Sequence, residues 1–203
     1  MDSVDKEIWR DFMFDSVLTQ NKIEYGIIEG NATVFYVKVG NGGSIYGYEN
    51  KYWEIAKQIH MEYGCSVLVA SNPINLSIKD GIELDLKFIK ERFPNANQIL
   101  AFGHSNGGQM LVSYAYAYPI INKVLAVNVP LMINLHKTKE GISNFKQDKI
   151  YMVYGSRDPS YRYVEILNSS VTEKFEYVVV ENADHHFKNM LKEFMELPKR
   201  FLF

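Results

Sequence analysis

Residues 99–108 read ILAFGHSNGG and contain the pattern that decides the fold. The apolar run predicts a short strand, and a helical pattern begins directly after the glycines. The Gly-x-Ser-x-Gly between them is typical of a sharp turn that exposes a nucleophilic serine, here Ser105. Glycine at positions 103 and 107 avoids side-chain collisions with the neighbouring strand and helix, and the helix N-terminus favours negative charge near Ser105. We therefore expect Ser105 to be a nucleophile; the plainer alternative is a Gly/Ser turn that only joins a strand to a helix.

Strand and helix signals alternate on both sides of this stretch. The predicted strands are 22–28, 33–39, 66–70, 99–102, 123–129, 149–154 and 175–180, with a turn at Gly30-Asn31. The predicted helices are 53–63, 82–93, 107–118, one that carries Met190, Leu191, Phe194 and Met195, and an N-terminal one with Val4, Ile8, Trp9 and Phe12 on one face. Strands joined through helices indicate parallel crossovers, and nearly continuous apolar strands indicate a sheet covered on both faces. The sequence predicts a single α/β domain over residues 1–203, a three-layer α/β/α sandwich around a mostly parallel sheet.

A serine hydroxyl needs a positioned base, and five histidines are available. His185 and His186 lie in ADHHF, residues 183–187, directly after the last predicted strand. From that position a base can reach Ser105, and we expect His185 to fill the role. A metal site made of Asp184, His185 and His186 is disfavoured because adjacent residues rarely chelate one ion. The other histidines have simpler structural or surface roles: His60, His104 and His136.

The base needs an orienting acid, and Asp158 is the best candidate. It lies in YGSRDP, residues 154–159, directly after a predicted strand. The chain order Ser105, Asp158, His185 is the order expected of a triad on an α/β sheet. Asp148 precedes its strand and should lie at the opposite edge, and Asp184 neighbours His185 in sequence, where successive side chains diverge. An ordinary solvated loop carboxylate is the alternative for Asp158.

Three stretches together resemble the α/β-hydrolase superfamily: GHSNGG at 103–108, GSRD at 155–158 and ADHHF at 183–187. The order of predicted strands extends the likeness to about residue 22 onwards. The resemblance implies an α/β-hydrolase fold with little or no cap domain. It also implies that Ser105 is the nucleophile, Asp158 the acid and His185 the base.

The resemblance also implies an oxyanion hole made of backbone N–H groups. One donor would be Asn106, the residue after the nucleophile. The second would come from the loop VGNGGS at 39–44, where Val39 replaces the usual histidine of the superfamily. We expect Asn41 to supply the second N–H, with Gly42 as the next candidate. Losing one such donor typically costs about 3 kcal/mol of transition-state stabilisation.

The composition and the sequence motifs exclude several other classes of protein. The formal net charge is −2 and the pI about 6.2, which gives no general attraction to nucleic acid. The single cysteine, Cys65, cannot form an internal disulfide, and we expect it to be a buried structural thiol. The glycines of the 39–44 loop do not complete a dinucleotide fingerprint, because position 45 is Ile45. With no apolar run of about 18 residues and no evident signal peptide, we expect a cytoplasmic protein without a membrane span, cofactor or metal.

These features predict a serine hydrolase that cleaves a small carboxylic ester or thioester through an acyl-enzyme on Ser105. Two alternatives remain: a catalytically inactive ligand- or partner-binding protein of the same fold, and an acyltransferase that uses the same triad. Residues 130–148 have room for a short lid but not for a full cap. Side chains that could border the substrate are Met132, Ile133, Leu135, Tyr161, Arg162 and Tyr163.

Overall fold

The computed structural model describes residues 14–203, and the predicted N-terminal helix lies outside this range. Eight strands form one sheet in the order β1-β2-β4-β3-β5-β6-β7-β8. Strands β1 and β2 pair antiparallel with their neighbours, whereas all other pairs are parallel. The strands are β1 Ser16–Gln20, β2 Ile23–Ile28, β3 Asn31–Lys38, β4 Cys65–Ala70, β5 Gln98–His104, β6 Ile121–Val127, β7 Lys149–Gly155 and β8 Phe175–Val180.

Within residues 14–203, five α-helices cover the two faces of this sheet, which confirms the predicted three-layer α/β/α architecture. They are α1 Lys51–Tyr63, α2 Ile78–Arg92, α3 Asn106–Tyr114, α4 Leu135–Asn144 and α5 Leu191–Leu202. Helices α2, α3 and α4 pack on one face through residues such as Ile82, Leu111 and Ile142. Helices α1 and α5 pack on the other, through Ile59 and Phe194 among others. None of these helices is long and apolar enough to cross a membrane.

Element boundaries follow local signals that sequence reading captures only in part. Helix α2 begins four residues earlier than predicted because the Ser77 side chain caps it by accepting from the Asp80 N–H. Helix α1 ends at Gly64 as predicted, in the left-handed conformation that glycine adopts freely. Strand β6 stops at Val127, two residues before the predicted end, because Asn128 has a positive φ of 51°.

Strand β1 was not predicted, and helix α4 shows what the 130–148 segment forms. Strand β1 lies at the sheet edge with mostly exposed side chains, so its sequence lacks the apolar run of the central strands. Helix α4 occupies most of 130–148, the segment considered as a short lid. It packs on α3, where a Cβ at Gly141 would lie 1.9 Å from the Val112 carbonyl oxygen, so α4 covers the sheet as a crossover helix.

A buried ion pair joins the end of β3 to helix α2. Lys38 Nζ lies 2.7 Å from Asp85 Oδ2, and both side chains are fully buried. The hydroxyls of Tyr25 and Tyr36 donate to the same carboxylate at 3.0 and 2.5 Å, and Lys38 also donates to the Ser71 carbonyl at 2.8 Å. Burial raises the pKa of Tyr36, and the Asp85 charge raises it further. The network fixes the end of β3, directly before the 39–44 loop.

Replacing Asp85 by alanine is expected to lower the free energy of unfolding by about 3–5 kcal/mol, because it leaves the Lys38 ammonium buried without a counter-charge. Urea denaturation measures the change. The matched control is Glu83→Ala, which removes an exposed carboxylate from the same helix and should change the value by less than about 1 kcal/mol. A loss of less than about 1 kcal/mol for Asp85→Ala would contradict this account.

Candidate active site

The turn between β5 and α3 holds Ser105 in a strained backbone conformation, with φ 54° and ψ −123°. Such a conformation in a residue other than glycine costs about 1–3 kcal/mol and is held by the structure around it. A Cβ at Gly103 would lie 2.6 Å from the Gly108 nitrogen, and one at Gly107 would lie 2.2 Å from the Lys38 oxygen. Both predicted collisions are therefore confirmed: Gly103 lies against the helix and Gly107 against the neighbouring strand.

The structure brings Ser105, His185 and Asp158 together from three separate loops. His185 Nε2 lies 3.1 Å from Ser105 Oγ, and His185 Nδ1 lies 2.5 Å from Asp158 Oδ2. The Asp158 side chain is 1% exposed, whereas that of His185 is 33% exposed. Because an ionised carboxylate only accepts, the Nδ1 proton faces Asp158 and Nε2 is free to accept from the serine hydroxyl. This is the tautomer that a general base needs.

The second carboxylate oxygen of Asp158 is also engaged. Asp158 Oδ1 accepts from the backbone N–H of Ser160 at 2.7 Å. This bond fixes the orientation of the carboxylate, so that Oδ2 faces the imidazole of His185. Its loop follows β7, as the sequence predicted.

Asn128 connects the acid loop to the base loop and was not found from the sequence. It follows β6 and is fully buried. Its side-chain oxygen accepts from the Gly155 N–H at 2.8 Å, and its amide nitrogen donates to the carbonyls of Asp184 and His185 at 3.2 and 3.0 Å. One amide thus holds the start of the loop that carries Asp158 at a fixed distance from the loop that carries His185. The only sequence signal was a polar residue at the end of an apolar strand.

The 39–44 loop lies beside Ser105, where the second oxyanion donor was expected. A Cβ at Gly40 would lie 3.3 Å from the Ser105 Cβ. Among residues 14–203, the N–H groups of Asn41 and Asn106 have no acceptor, so both can donate to a ligand. The Gly42 N–H donates to the Asn72 carbonyl at 2.7 Å, which disfavours Gly42 as a donor.

The Asn72 side chain contacts both segments that carry the expected oxyanion donors. Its amide nitrogen donates to the Val39 carbonyl at 3.2 Å and to Asn106 Oδ1 at 3.0 Å. It therefore links the 39–44 loop to the first residue of α3. Val39 takes part in this linkage through its backbone carbonyl, which any residue supplies. A valine in place of the usual histidine therefore leaves the linkage intact.

His104 is buried and connects helix α1 to the base loop. Its Nε2 lies 2.8 Å from the His185 carbonyl oxygen, and its Nδ1 lies 2.9 Å from the Tyr52 hydroxyl. Because a carbonyl only accepts, Nε2 carries the proton and Nδ1 accepts from Tyr52. Burial, with a smaller contribution from the Lys51 charge, lowers the pKa of His104 well below its usual range. His104 is therefore a neutral structural link, which agrees with the packing or hydrogen-bonding role expected from the sequence.

This buried histidine should make stability depend on pH. In the unfolded chain His104 titrates near its ordinary pKa of 6.5, whereas the folded protein lowers that pKa, so below pH 6.5 the unfolded chain binds more protons. The stabilisation is present above pH 6.5 and is lost as the pH falls, with a slope of up to about 1.4 kcal/mol per pH unit. His104→Gln should flatten this slope, measured by urea unfolding between about pH 7 and pH 5.

The control for this measurement is His136→Gln, because His136 is 89% exposed in its side chain. It should keep the wild-type slope. A residual slope is expected in His104→Gln, since burial also lowers the pKa of His186. Equal slopes in wild type and His104→Gln would contradict the buried neutral imidazole.

The remaining predicted candidates lie away from Ser105 or are already engaged. His60 Nδ1 bonds to the Cys65 carbonyl, and Cys65 is buried, as expected. Three histidines place ligand atoms within 4.8 Å of one another: His104, His185 and His186. Both ring nitrogens of His104 and of His185 are in the hydrogen bonds described above, so a metal would have to displace them. Asp184 instead accepts from the backbone N–H groups of His186 and Lys188.

A cleft of about 250 Å³ opens beside Ser105. Its walls come from the 39–48 loop, the first turn of α1, the elbow and the base loop. Residues considered as substrate neighbours do not line it: Met132, Ile133, Leu135, Tyr161, Arg162 and Tyr163. Apart from the half-buried Leu135, these side chains are exposed on two short 3₁₀ helices, 131–133 and 161–170.

No protein-family model and no curated protein matches the chain. Among solved structures, Est1E from Butyrivibrio proteoclasticus superposes with a TM-score of 0.75 at 12% identity, over 91% of this chain and 96% of that one; Est1E has also been solved with ferulic acid bound. An α/β serine hydrolase homologue from Coxiella burnetii gives 0.73 at 17% identity, over 93% and 97% of the two chains. An α/β serine hydrolase without a lid, from Xanthomonas campestris, gives 0.66 at 14% identity, over 91% and 92%. Together with the sheet order and the strand–turn–helix elbow, these superpositions show that the chain has the α/β-hydrolase fold.

Proposed function

We propose that this protein is a serine hydrolase that cleaves a small carboxylic ester or thioester through an acyl-enzyme on Ser105. The observation that carries the proposal is the continuous hydrogen-bonded path from Ser105 Oγ through the His185 imidazole to the buried Asp158 carboxylate. A strained elbow that places the half-buried serine in the wall of the cleft supports the same role. The fold neighbours named as esterases and serine hydrolases add support.

In the first half of the reaction, Ser105 Oγ attacks the substrate carbonyl carbon while His185 Nε2 takes the hydroxyl proton. The N–H groups of Asn106 and Asn41 stabilise the oxyanion that forms on the carbonyl oxygen. Asp158 keeps the Nδ1 proton in place and offsets the positive charge of the imidazolium. When the carbon–oxygen or carbon–sulfur bond to the leaving group breaks, His185 donates its proton to the departing alcohol or thiol.

In the second half, a water molecule attacks the acyl carbon as His185 Nε2 takes one of its protons. The tetrahedral intermediate then collapses, the bond to Ser105 Oγ breaks, and His185 returns the proton to the serine. The second half therefore releases a carboxylic acid and regenerates the free enzyme, and neither half of the reaction needs a cofactor. An open cleft of about 250 Å³ fits a small acyl substrate.

Labelling with a fluorophosphonate, followed by mass mapping of the adduct, tests this proposal. A nucleophilic serine forms one covalent adduct, which we expect on Ser105. Ser105→Ala should abolish the adduct, whereas Ser143→Ala should label like wild type because Ser143 is exposed on α4. No adduct under conditions that label a known serine hydrolase would reject catalysis and favour the non-catalytic binding alternative.

A panel of esters then separates substrate classes among active samples. It should include short aliphatic esters, a thioester and a feruloyl ester. Competition of an added alcohol or thiol against water distinguishes hydrolysis from acyl transfer. Preferential formation of the new ester or thioester would identify an acyltransferase.

A further inference from the structure

A buried lysine stands in the wall of the cleft beside Ser105. Lys51 is the first residue of α1 and is only 2% exposed. It lines the same cleft as Ser105 and His185. The proposed acyl-enzyme chemistry assigns this cation no role.

The contacts of Lys51 leave its charge largely uncompensated. Its Nζ donates to the His186 carbonyl at 3.2 Å and lies 4.0 Å from the centre of the Phe194 ring. Among residues 14–203, no carboxylate oxygen lies within 4.0 Å of this ammonium. The Asp184 charge raises the pKa of Lys51, but Asp184 Oδ1 already accepts two backbone N–H groups of its own loop. One acceptor for three N–H donors leaves hydrogen-bonding capacity for a ligand.

This position is unfavourable for a cation. Burial lowers the pKa of Lys51 to about 8, so the side chain is still mostly protonated at neutral pH. Lys51 also occupies the N-terminal end of a helix, where the backbone dipole favours negative charge and opposes a lysine. Bringing an anion to this site would relieve both penalties.

The rest of the cleft is electrostatically consistent with an anion. None of the described residues that line it is an aspartate or a glutamate. His104 is neutral because burial lowers its pKa. A second cation, Lys188, places its Nζ 6.0 Å from the ring of Tyr48, which lines the cleft. Asp184 and Glu49 lie near these groups but do not line the cleft, so Lys51 is the only lysine, arginine, aspartate or glutamate among the described residues that line it.

We propose that Lys51 selects esters or thioesters that carry an anionic group, a carboxylate or a phosphate, by binding that group at the wall of the cleft. The inference rests on the proposed hydrolase function and names its substrate class. Lys51 acts here as a specificity-determining residue and takes no part in proton transfer at Ser105.

Matched pairs of esters test this inference. On the acyl side, para-nitrophenyl hydrogen glutarate is compared with neutral para-nitrophenyl pentanoate. On the leaving-group side, para-acetoxybenzoate and para-acetoxyphenyl phosphate are compared with methyl para-acetoxybenzoate. For wild type we expect kcat/KM to favour at least one anionic ester over its neutral match by about 10- to 100-fold after correction for background hydrolysis, the range of a charged hydrogen bond.

The decisive variant is Lys51→Met, which keeps an unbranched side chain only one heavy atom shorter and removes its charge. It should lose the preference for the anionic ester and hydrolyse the neutral ester within about threefold of wild type. Lys123→Met is the matched control, because Lys123 also donates to a backbone carbonyl, that of Leu202, at the start of β6 and away from the cleft. It should keep the wild-type preference. If Lys51→Met fails to fold, Lys51→Gln replaces it.

Three results would overturn the inference: a wild-type enzyme that shows no preference for any of the anionic esters, a Lys51→Met variant that loses activity on anionic and neutral esters equally, or a Lys51→Met variant that keeps the wild-type preference. The second result would mean that Lys51 only holds the base loop through the His186 carbonyl. Failure of the proposed function looks different, since then no ester would be hydrolysed and Ser105 would not be labelled. Active wild type without charge preference thus rejects the inference alone.

Discussion

Replacing Asp158 by asparagine is expected to lower kcat by about ten-thousand-fold, the size of effect typical when a triad histidine is held in the wrong tautomer. The Ser160 N–H must keep an acceptor, so the amide oxygen of the new side chain would take the place of Oδ1. The amide NH₂ would then face His185 Nδ1 and donate to it. The imidazole proton would move to Nε2, the atom that must accept the Ser105 proton. The fold should be unchanged because the two side chains have nearly the same shape.

Steady-state kinetics on the best ester of the panel measures this loss, and the urea midpoint checks that folding is intact. Asp148→Asn is the matched control, since Asp148 is a half-exposed carboxylate that precedes β7 instead of following it. It should retain wild-type kcat. An Asp158→Asn enzyme within about tenfold of wild type would show that Asp158 does not set the tautomer of His185.

The sequence was informative about Ser105, Asp158 and His185 because each lies directly after an apolar strand. Carboxyl ends of parallel strands meet at one edge of the sheet, so three residues far apart in sequence could be placed near each other. The observed hydrogen bonds at 3.1 and 2.5 Å agree with that placement. Their catalytic roles remain the proposal that the labelling experiment tests.

The residues that hold these groups in position could not be found in the same way. Asn128 contacts loops 27 and 57 residues further along the chain, and Tyr52 bonds to a histidine 52 residues away. Such pairings depend on the final register of the sheet and on which side chains become buried. A lone asparagine or tyrosine carries no local pattern that predicts them.

The burial of charged side chains could not be predicted from the sequence either. Lys38 ends an apolar strand and Lys51 begins a helix, and both would ordinarily be expected in solvent. The structure buries both, Lys38 with Asp85 as its counter-charge and Lys51 with no carboxylate oxygen of residues 14–203 within 4.0 Å. Lys38 is therefore a structural lysine, whereas the burial of Lys51 away from the described carboxylates favours a bound anion.

The largest expected effects come from Ser105→Ala and His185→Ala, each of which should lower kcat by about a millionfold. The double variant should lose no more than either single variant, because both side chains serve one proton transfer across the 3.1 Å between Oγ and Nε2. Stopped assays over long times, with His136→Ala as the control for loss of a surface histidine, measure these rates.

Non-additivity is the informative part of this cycle. If Ser105 and His185 acted independently, the two losses would multiply, and the double variant would fall to the rate of the uncatalysed reaction. If they act as one unit, all three variants should share a residual rate above that of water, because the N–H groups of Asn106 and Asn41 still stabilise the oxyanion. If Ser105→Ala lowers kcat severely but His185→Ala lowers it only slightly, the base would instead be His186, whose ring centre lies 4.9 Å from that of His185. The residual rate shared by the three variants therefore measures what the two N–H donors and substrate binding contribute without the nucleophile.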